Sequence, residues 1–315
     1  MTMTTAVNEM MSSACMALQL APLMSQGQIE ALEHHASDEI KALYLPKLIS
    51  GEWTGTMNLT EPQAGSDVGA LTSKAEPNGD GTYSVSGQKI YITWGDHDVA
   101  DNICHLVLAR LPGSVSGTKG ISLFLVPKFI PSEAGKAGVG NTLKVVSLEH
   151  KLGLHGSPTA VMQYEGAKGW LVGEEGGGMR AMFTMMNNAR LGVGGQGIGI
   201  AEAALQQAMT YASERNQGRS LSEVGRGTII DHADVRRMLM TMKALTASSR
   251  SIALDTAFSI DMSKATDDAS WAARAAFLTP ICKAFSTDIG NEVAHLGVQV
   301  HGGMGFVEET GAAQF

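Results

Sequence analysis

Hydrophobic spacing along the chain changes twice. Over residues 1–49, Met16, Leu20, Leu23 and Met24 fall at helical intervals, and the stretch from Pro46 to Trp53 closes the segment. The spacing predicts three short helices there. From Trp53 onward Gly and Asn become frequent and short β-rich runs replace the helical period. They lie at 83–85, after the turn Asn78-Gly79-Asp80-Gly81, and at 90–93, 103–109, 121–126, 143–146 and 161–164. Short strands between turn clusters, with no useful helical pattern separating them, predict an antiparallel barrel or sandwich and disfavour a parallel doubly wound sheet. From Gly178 the helical period returns. Met179, Met182, Phe183 and Met186 form one stripe, Val235, Met238, Leu239, Met242 and Leu245 a second, and Ile281, Phe285, Ile289, Val293 and Leu296 a third. The fold class expected is α+β, with a helical segment at 1–52, a β-domain at 53–170 and a helical bundle at 171–315.

Composition narrows the function classes. A chain of 315 residues is long for a single core. Its 44% hydrophobic and 17% charged residues describe an ordinary globular protein. A net charge of -8 argues against nucleic acid or an anionic membrane as the main partner. No run of about 18 apolar residues occurs, so no membrane-spanning helix is expected. The N-terminal stretch to Leu20 has no Lys or Arg and lacks the basic start of a signal peptide. Cys15, Cys104 and Cys282 are widely spaced, odd in number and form no CxxC pair, which favours a reduced, cytoplasmic setting without a metal cage. The 18 methionines read as core filler between helices.

Three stretches carry candidate chemistry. Met57 to Asp67 packs hydroxyls, an acid and a Gly65-Ser66 turn into a few residues, a density of donors that suits phosphate or flavin oxygens. Gly87-Gln88-Lys89-Ile90-Tyr91-Ile92-Thr93 is the second, and Gln299-Val300-His301-Gly302-Gly303 the third. Read as T-E-P-x-A-G-S-D, G-Q-K-x-(W/Y)-I-T and Q-x-x-G-G-x-G-F, the three in order resemble the acyl-CoA dehydrogenase family. The resemblance runs along nearly the whole chain, and the chain corresponds to the middle of the family. Several local stretches, such as Tyr91 to Asp98 and His301 to Gly311, look most like the larger bacterial branch that includes 3-methylmercaptopropionyl-CoA dehydrogenase.

The resemblance implies FAD as cofactor, an acyl-CoA substrate of short or 3-methylmercaptopropionyl type, and α,β-dehydrogenation to the 2-enoyl-CoA. An electron-transfer flavoprotein is the implied electron acceptor, and a homo-oligomer the implied assembly. Met57, Leu59, Thr60, Gly65, Ser66, Tyr91 and Thr93 are the implied flavin contacts within one subunit. Tyr91 stands where many members carry Trp, keeping a flat face with less area. Arg215, Gln217, Gln299, Gly302 and Gly303 are carried over as contacts to the dinucleotide end of a neighbouring subunit's flavin. Ser66, Asn187 and Arg190 are the implied substrate contacts, with Asn187 where Asp is common. The family's α-proton acceptor is a Glu expected beyond Phe315; in some relatives it precedes the helix Arg, and that position here is Ala189. The chain is therefore expected to be truncated at both ends and to lack the base. Glu308 and Glu309 match neither placement and read as solvated turn acids. An acyl-CoA oxidase and a non-catalytic flavin- or CoA-binding module stay open as alternatives.

Other signals lead nowhere. Gly192 to Gly197 matches G-x-G-x-x-G, but a helical pattern lies on both sides, so close helix packing is expected rather than a dinucleotide turn. The histidines show no paired ligand spacing, and no Ser has the glycines of a nucleophile elbow.

Overall fold

The computed structural model describes residues 1–219 and 227–315. The chain divides into two compact units, one of residues 17–189 and one of residues 1–16 with 190–315.

In the first unit, helix α1 (Thr2–His35, whose first half belongs to the other unit) and helix α2 (Asp38–Ser50) precede the strands. Because α1 is two helices joined at a kink, three helical stretches stand before the strands, as expected. The break in α1 falls at Cys15, where the backbone leaves helical geometry, and not at Pro22, which the helix runs through. Burial of Leu23, Met24, Ala31 and Leu32 outweighs the single N–H that a proline removes. Helix α2 starts at Ser37, whose hydroxyl accepts from Ile40 N, and ends at Gly51 with φ +79.

Nine strands follow: β1 (Trp53–Asn58), β2 (Lys74–Pro77), β3 (Tyr83–Thr93), β4 (Asn102–Arg110), β5 (Ile121–Pro127), β6 (Phe129–Pro131), β7 (Ala137–Gly140), β8 (Leu143–Leu148) and β9 (Thr159–Val172). Seven form one sheet in the order β1-β4-β2-β3-β9-β5, with β8 added on β9. Since β5 also pairs with β4, the path β4-β2-β3-β9-β5 closes on itself as a barrel. Most pairs are antiparallel, as expected, but β1 and β2 both run parallel to β4 along one of its edges. The other edge of β1 is covered by α1: Gly55 N donates to Ser25 Oγ at 3.0 Å, and a Cβ at Gly55 would lie 2.1 Å from Gln28 Oε1. The barrel core is built from Val85, Ile92, Val107, Phe124, Met162 and Tyr164. It also holds a polar chain. Tyr164 donates to Asn58 Oδ1, Asn58 donates to Thr56, and Thr56 Oγ1 lies 2.7 Å from His105 Nδ1.

The second unit is helical: the start of α1, most of α3 (Gly178–Glu214), α4 (Ala233–Ala265), α5 (Ala269–His301) and a closing series of 3-10 turns. Leu239 and Met242 of the α4 stripe and Ile289 and Val293 of the α5 stripe are buried together with Ala204 and Leu205 of α3. On α3 the Met stripe is displaced. In the part of α3 that belongs to the first unit, Ala181, Met182 and Met185 are buried while Phe183 is exposed. The glycine run packs helices closely, as expected: a Cβ on Gly197 would lie 2.3 Å from Ser286 O, and one on Gly290 2.9 Å from Gly197 O. Among the described residues no helix is long and apolar enough to cross a membrane.

Candidate functional site

In the first unit the structure joins the first two motif stretches. Strand β1 ends at Asn58, whose side chain turns into the barrel to meet Tyr164. The chain then makes a tight turn, Glu61 and Ala64 exchanging backbone hydrogen bonds of 3.0 Å. Thr60 O accepts from Ile90 N at 2.9 Å, which fixes Thr60 beside the far half of β3. That half is bulged. Its register with β9 shifts between Lys89 and Ile92, and Tyr91 and Trp94 take positive φ values of 60° and 52°. Such values are costly for large side chains, and they persist where the surroundings enforce them. Here Trp94 is held by Nε1 donating to Ala17 O at 3.0 Å and by its N–H donating to Pro158 O at 2.8 Å. The bulge throws the Tyr91 ring outward, where it is 62% exposed.

Donors without protein partners collect on this edge. Among the described residues the Thr60 N–H and hydroxyl, the Thr93 hydroxyl, and the N–H groups of exposed Gly65 and Ser66 bond to nothing. Gly65 lies beside Thr60, a Cβ there coming within 3.9 Å of Thr60 Cγ2. Met57 and Leu59 are half-buried on either side of the inward Asn58. Unpaired N–H and O–H groups beside an exposed aromatic ring fit a planar, oxygen-rich and anionic ligand such as a flavin dinucleotide.

Three residues that sequence reasoning passed over hold this edge in place. Lys89 and Glu61 are fully buried, with Lys89 Nζ 2.8 Å from Glu61 Oε1 and 3.2 Å from Leu59 O. Glu61 also accepts from the N–H groups of Thr72 at 2.7 Å and Ser73 at 3.1 Å and from Gln63 Nε2 at 2.7 Å. Burial pushes the Glu61 carboxyl up, but the Lys89 ammonium and the converging donors prevail and hold it well below the carboxylate range. Burial drives Lys89 down against the pull of Glu61. Arg110 donates to four carbonyls, Leu71, Gly69, Val115 and Gly117, at 2.6–3.1 Å, tying down the loop after Ser66. The signal for Glu61 and Lys89 was present, since both are letters of the motifs; only their pairing was not legible.

The remaining site residues lie elsewhere. Asn187 and Arg190 are one turn apart on α3 but fall in different units, and neighbouring Asn188 donates to Glu30 at 3.0 Å. In the second unit, Arg215 and Gln217 follow the end of α3, and Gln299, Gly302 and Gly303 close α5. All five are exposed. The two helix ends meet through Tyr211 stacked on His301, with ring centroids 4.3 Å apart. Gly302 has φ +61, and nothing lies within 4 Å of a Cβ on Gly302 or Gly303. The glycine needed for packing is Gly305, where a Cβ would meet Val298 O at 2.3 Å. Glu308 and Glu309 are exposed in the following 3-10 turn.

The fold and motif order define a class, and comparison with known proteins agrees. Residues 56–167 match the family model of the acyl-CoA dehydrogenase middle domain and residues 176–315 that of the acyl-CoA dehydrogenase C-terminal domain. The chain belongs to the acyl-CoA dehydrogenase family. It is 52% identical to 3-methylmercaptopropionyl-CoA dehydrogenase of Ruegeria pomeroyi, over 98% of this chain and 54% of that protein. It is 40% identical to a butyryl-CoA dehydrogenase of Syntrophomonas wolfei, over 96% of this chain and 52% of that protein. The chain thus spans about half the length of these relatives. The structure of butyryl-CoA dehydrogenase from Megasphaera elsdenii has the same fold, with a TM-score of 0.82 at 24% identity over 98% of this chain and 74% of that one.

Proposed function

We propose that the protein containing this chain is an FAD-dependent dehydrogenase that oxidises an acyl-CoA thioester to the 2-enoyl-CoA. The observation that carries the reading is the edge at Thr60, Tyr91 and Thr93, where unpaired donors and an outward aromatic ring are held on a bulged strand. Thr60 and Thr93 donate to the flavin, the Tyr91 ring packs against it with Met57 and Leu59, and Gly65 and Ser66 offer N–H groups to phosphate oxygens. FAD, when bound, supplies the hydride acceptor for the β-hydrogen. Donors aimed at the flavin favour the negative charge it gains on reduction. The α-proton leaves to a carboxylate of the whole protein; Glu308 and Glu309, exposed in their turn, have no part in it.

Ser66, Asn187 and Arg190 contact the CoA portion, the guanidinium suiting a phosphate through its forked donors. Arg215, Gln217, Gln299, Gly302 and Gly303 serve the flavin of a second copy, so the working form is a homo-oligomer. The substrate class is a short acyl-CoA, 3-methylmercaptopropionyl-CoA first and butyryl-CoA second, following the two relatives. An electron-transfer flavoprotein reoxidises the cofactor. Titration of FAD followed by its visible absorbance tests the cofactor. Anaerobic mixing of the holoenzyme with each thioester then tests the substrate through bleaching of that absorbance. A protein that takes up no FAD, or a holoenzyme whose flavin neither thioester bleaches, defeats the proposal.

A further inference from the structure

The buried ion pair of the barrel is an expensive arrangement for a fold to keep. Two charges removed from water stabilise little on balance, and apolar replacements of similar volume are often neutral. Its value therefore has to be sought in what it fixes. Glu61 gathers hydrogen bonds from three separate stretches: Gln63 in its own turn, Thr72 and Ser73 at the entry to β2, and Lys89 in β3. Lys89 Nζ binds Leu59 O, and the next residue, Ile90, binds Thr60 O. Two consecutive carbonyls of the Leu59–Thr60 segment are thus turned toward β3. Gly87 allows the close approach on the other side, since a Cβ there would lie 2.2 Å from Ser73 Oγ. Two residues beyond Lys89 comes Tyr91 with its positive φ.

We propose that Glu61 and Lys89 form a positioning clamp: they lock the 59–73 loop onto the bulged end of β3, so that the donors of Thr60, Gly65 and Ser66 and the ring of Tyr91 are presented as one rigid set. The clamp touches no cofactor atom and acts through the residues it holds. Its functional meaning rests on the flavin reading given above, while its structural part does not.

The test uses Lys89→Met and, because that change strands a buried carboxylate, the double variant Glu61→Gln/Lys89→Met, which removes both charges. Amide hydrogen exchange without cofactor reads the clamp itself. Exchange over 59–73 and 88–93 is expected to quicken roughly tenfold, the scale of one lost buried hydrogen bond, while 103–109 and 121–126 in β4 and β5 stay protected. On FAD titration the double variant is expected to bind roughly tenfold more weakly, on the same scale. Its bound flavin, saturated with FAD, should have a lower reduction potential, because loosened donors favour the reduced anion less. Unchanged exchange in the double variant overturns the clamp. Quickened exchange with unaltered FAD affinity and potential overturns its positioning role. If the wild type takes up no FAD but exchange quickens in the variants, the flavin reading falls and the clamp remains.

Discussion

At the scale of single residues, the barrel interior makes a prediction through His105. Its ring is fully buried. Thr56 Oγ1 accepts from Asn58 Nδ2 and shares a hydrogen bond with His105 Nδ1, while His105 Nε2 has no partner among the described residues. Burial, the largest influence, pushes this imidazole down to about 3. As pH falls below the ordinary value of 6.5, the unfolded chain takes up a proton that the folded chain refuses, so stability declines from pH 6.5 toward 3. Between pH 7 and pH 5 this one group should remove about 2 kcal/mol, read by urea unfolding at the two pH values. His105→Gln should flatten that part of the slope. His97, lowered mainly by burial and partly by Lys128, adds in the same direction and keeps its share in the variant. Glu61 acts in a separate window. Its depressed carboxyl contributes stability that is lost only as pH falls below the usual 4.5, so the titration of Glu61 itself adds nothing to the slope between pH 7 and pH 5.

At the scale of elements, helix packing gives the next prediction. A Cβ on Gly197 meets backbone of α5, and backbone cannot swing aside as a side-chain tip can. Gly197→Ala should therefore destabilise the helical unit by about 1–3 kcal/mol or more, the usual cost of overpacking, despite the better helix propensity of Ala. Gly195→Ala, where nothing lies within 4 Å, should be neutral or slightly stabilising, and thermal unfolding of the pair separates packing from propensity. The same elements show what was legible in the sequence. The α4 stripe and strands β4 and β5 were readable because apolar period and burial coincide in them. Strand β1 was not, since its face is set by Gly55 and the polar Thr56 and Asn58, buried by hydrogen bonds with Ser25, His105 and Tyr164. Strand β3 read as two short runs because Gly87, at φ +143, breaks the alternation between them. The site divides in the same way. Hydroxyls and glycines of the motifs announce donors, but which donors remain unpaired depends on the bulge and on Glu61, Lys89 and Arg110, whose partners are distant along the chain.

At the scale of the whole molecule, the two groups of candidate cofactor residues raise a question of assembly. Thr60, Tyr91 and Thr93 lie in one compact unit, whereas Arg215, Gln217, Gln299, Gly302 and Gly303 gather in the other, at helix ends joined by the Tyr211–His301 stack. If the second group serves the flavin of another copy, cofactor binding and self-association are linked: ligand that bridges two copies stabilises the assembly, and dilution of the assembly releases ligand. FAD should then dissociate over the same protein concentrations at which the oligomer dissociates in sedimentation, and added FAD should shift that range downward. Arg215→Ala removes an exposed guanidinium with no core role, so the fold should stay intact while FAD binds on the order of tenfold more weakly, as expected for one lost charge-assisted contact. Thr60→Ala weakens FAD by a different route, within one copy. In mixtures of the two variants, a shared site predicts that pairing restores some sites that carry neither change and leaves others carrying both. A site confined to one copy predicts no such recovery, since each copy keeps its own defect whatever its neighbour. Titrating FAD into the mixture and into each variant alone therefore decides whether the second group belongs to the first group's flavin or to a neighbour's.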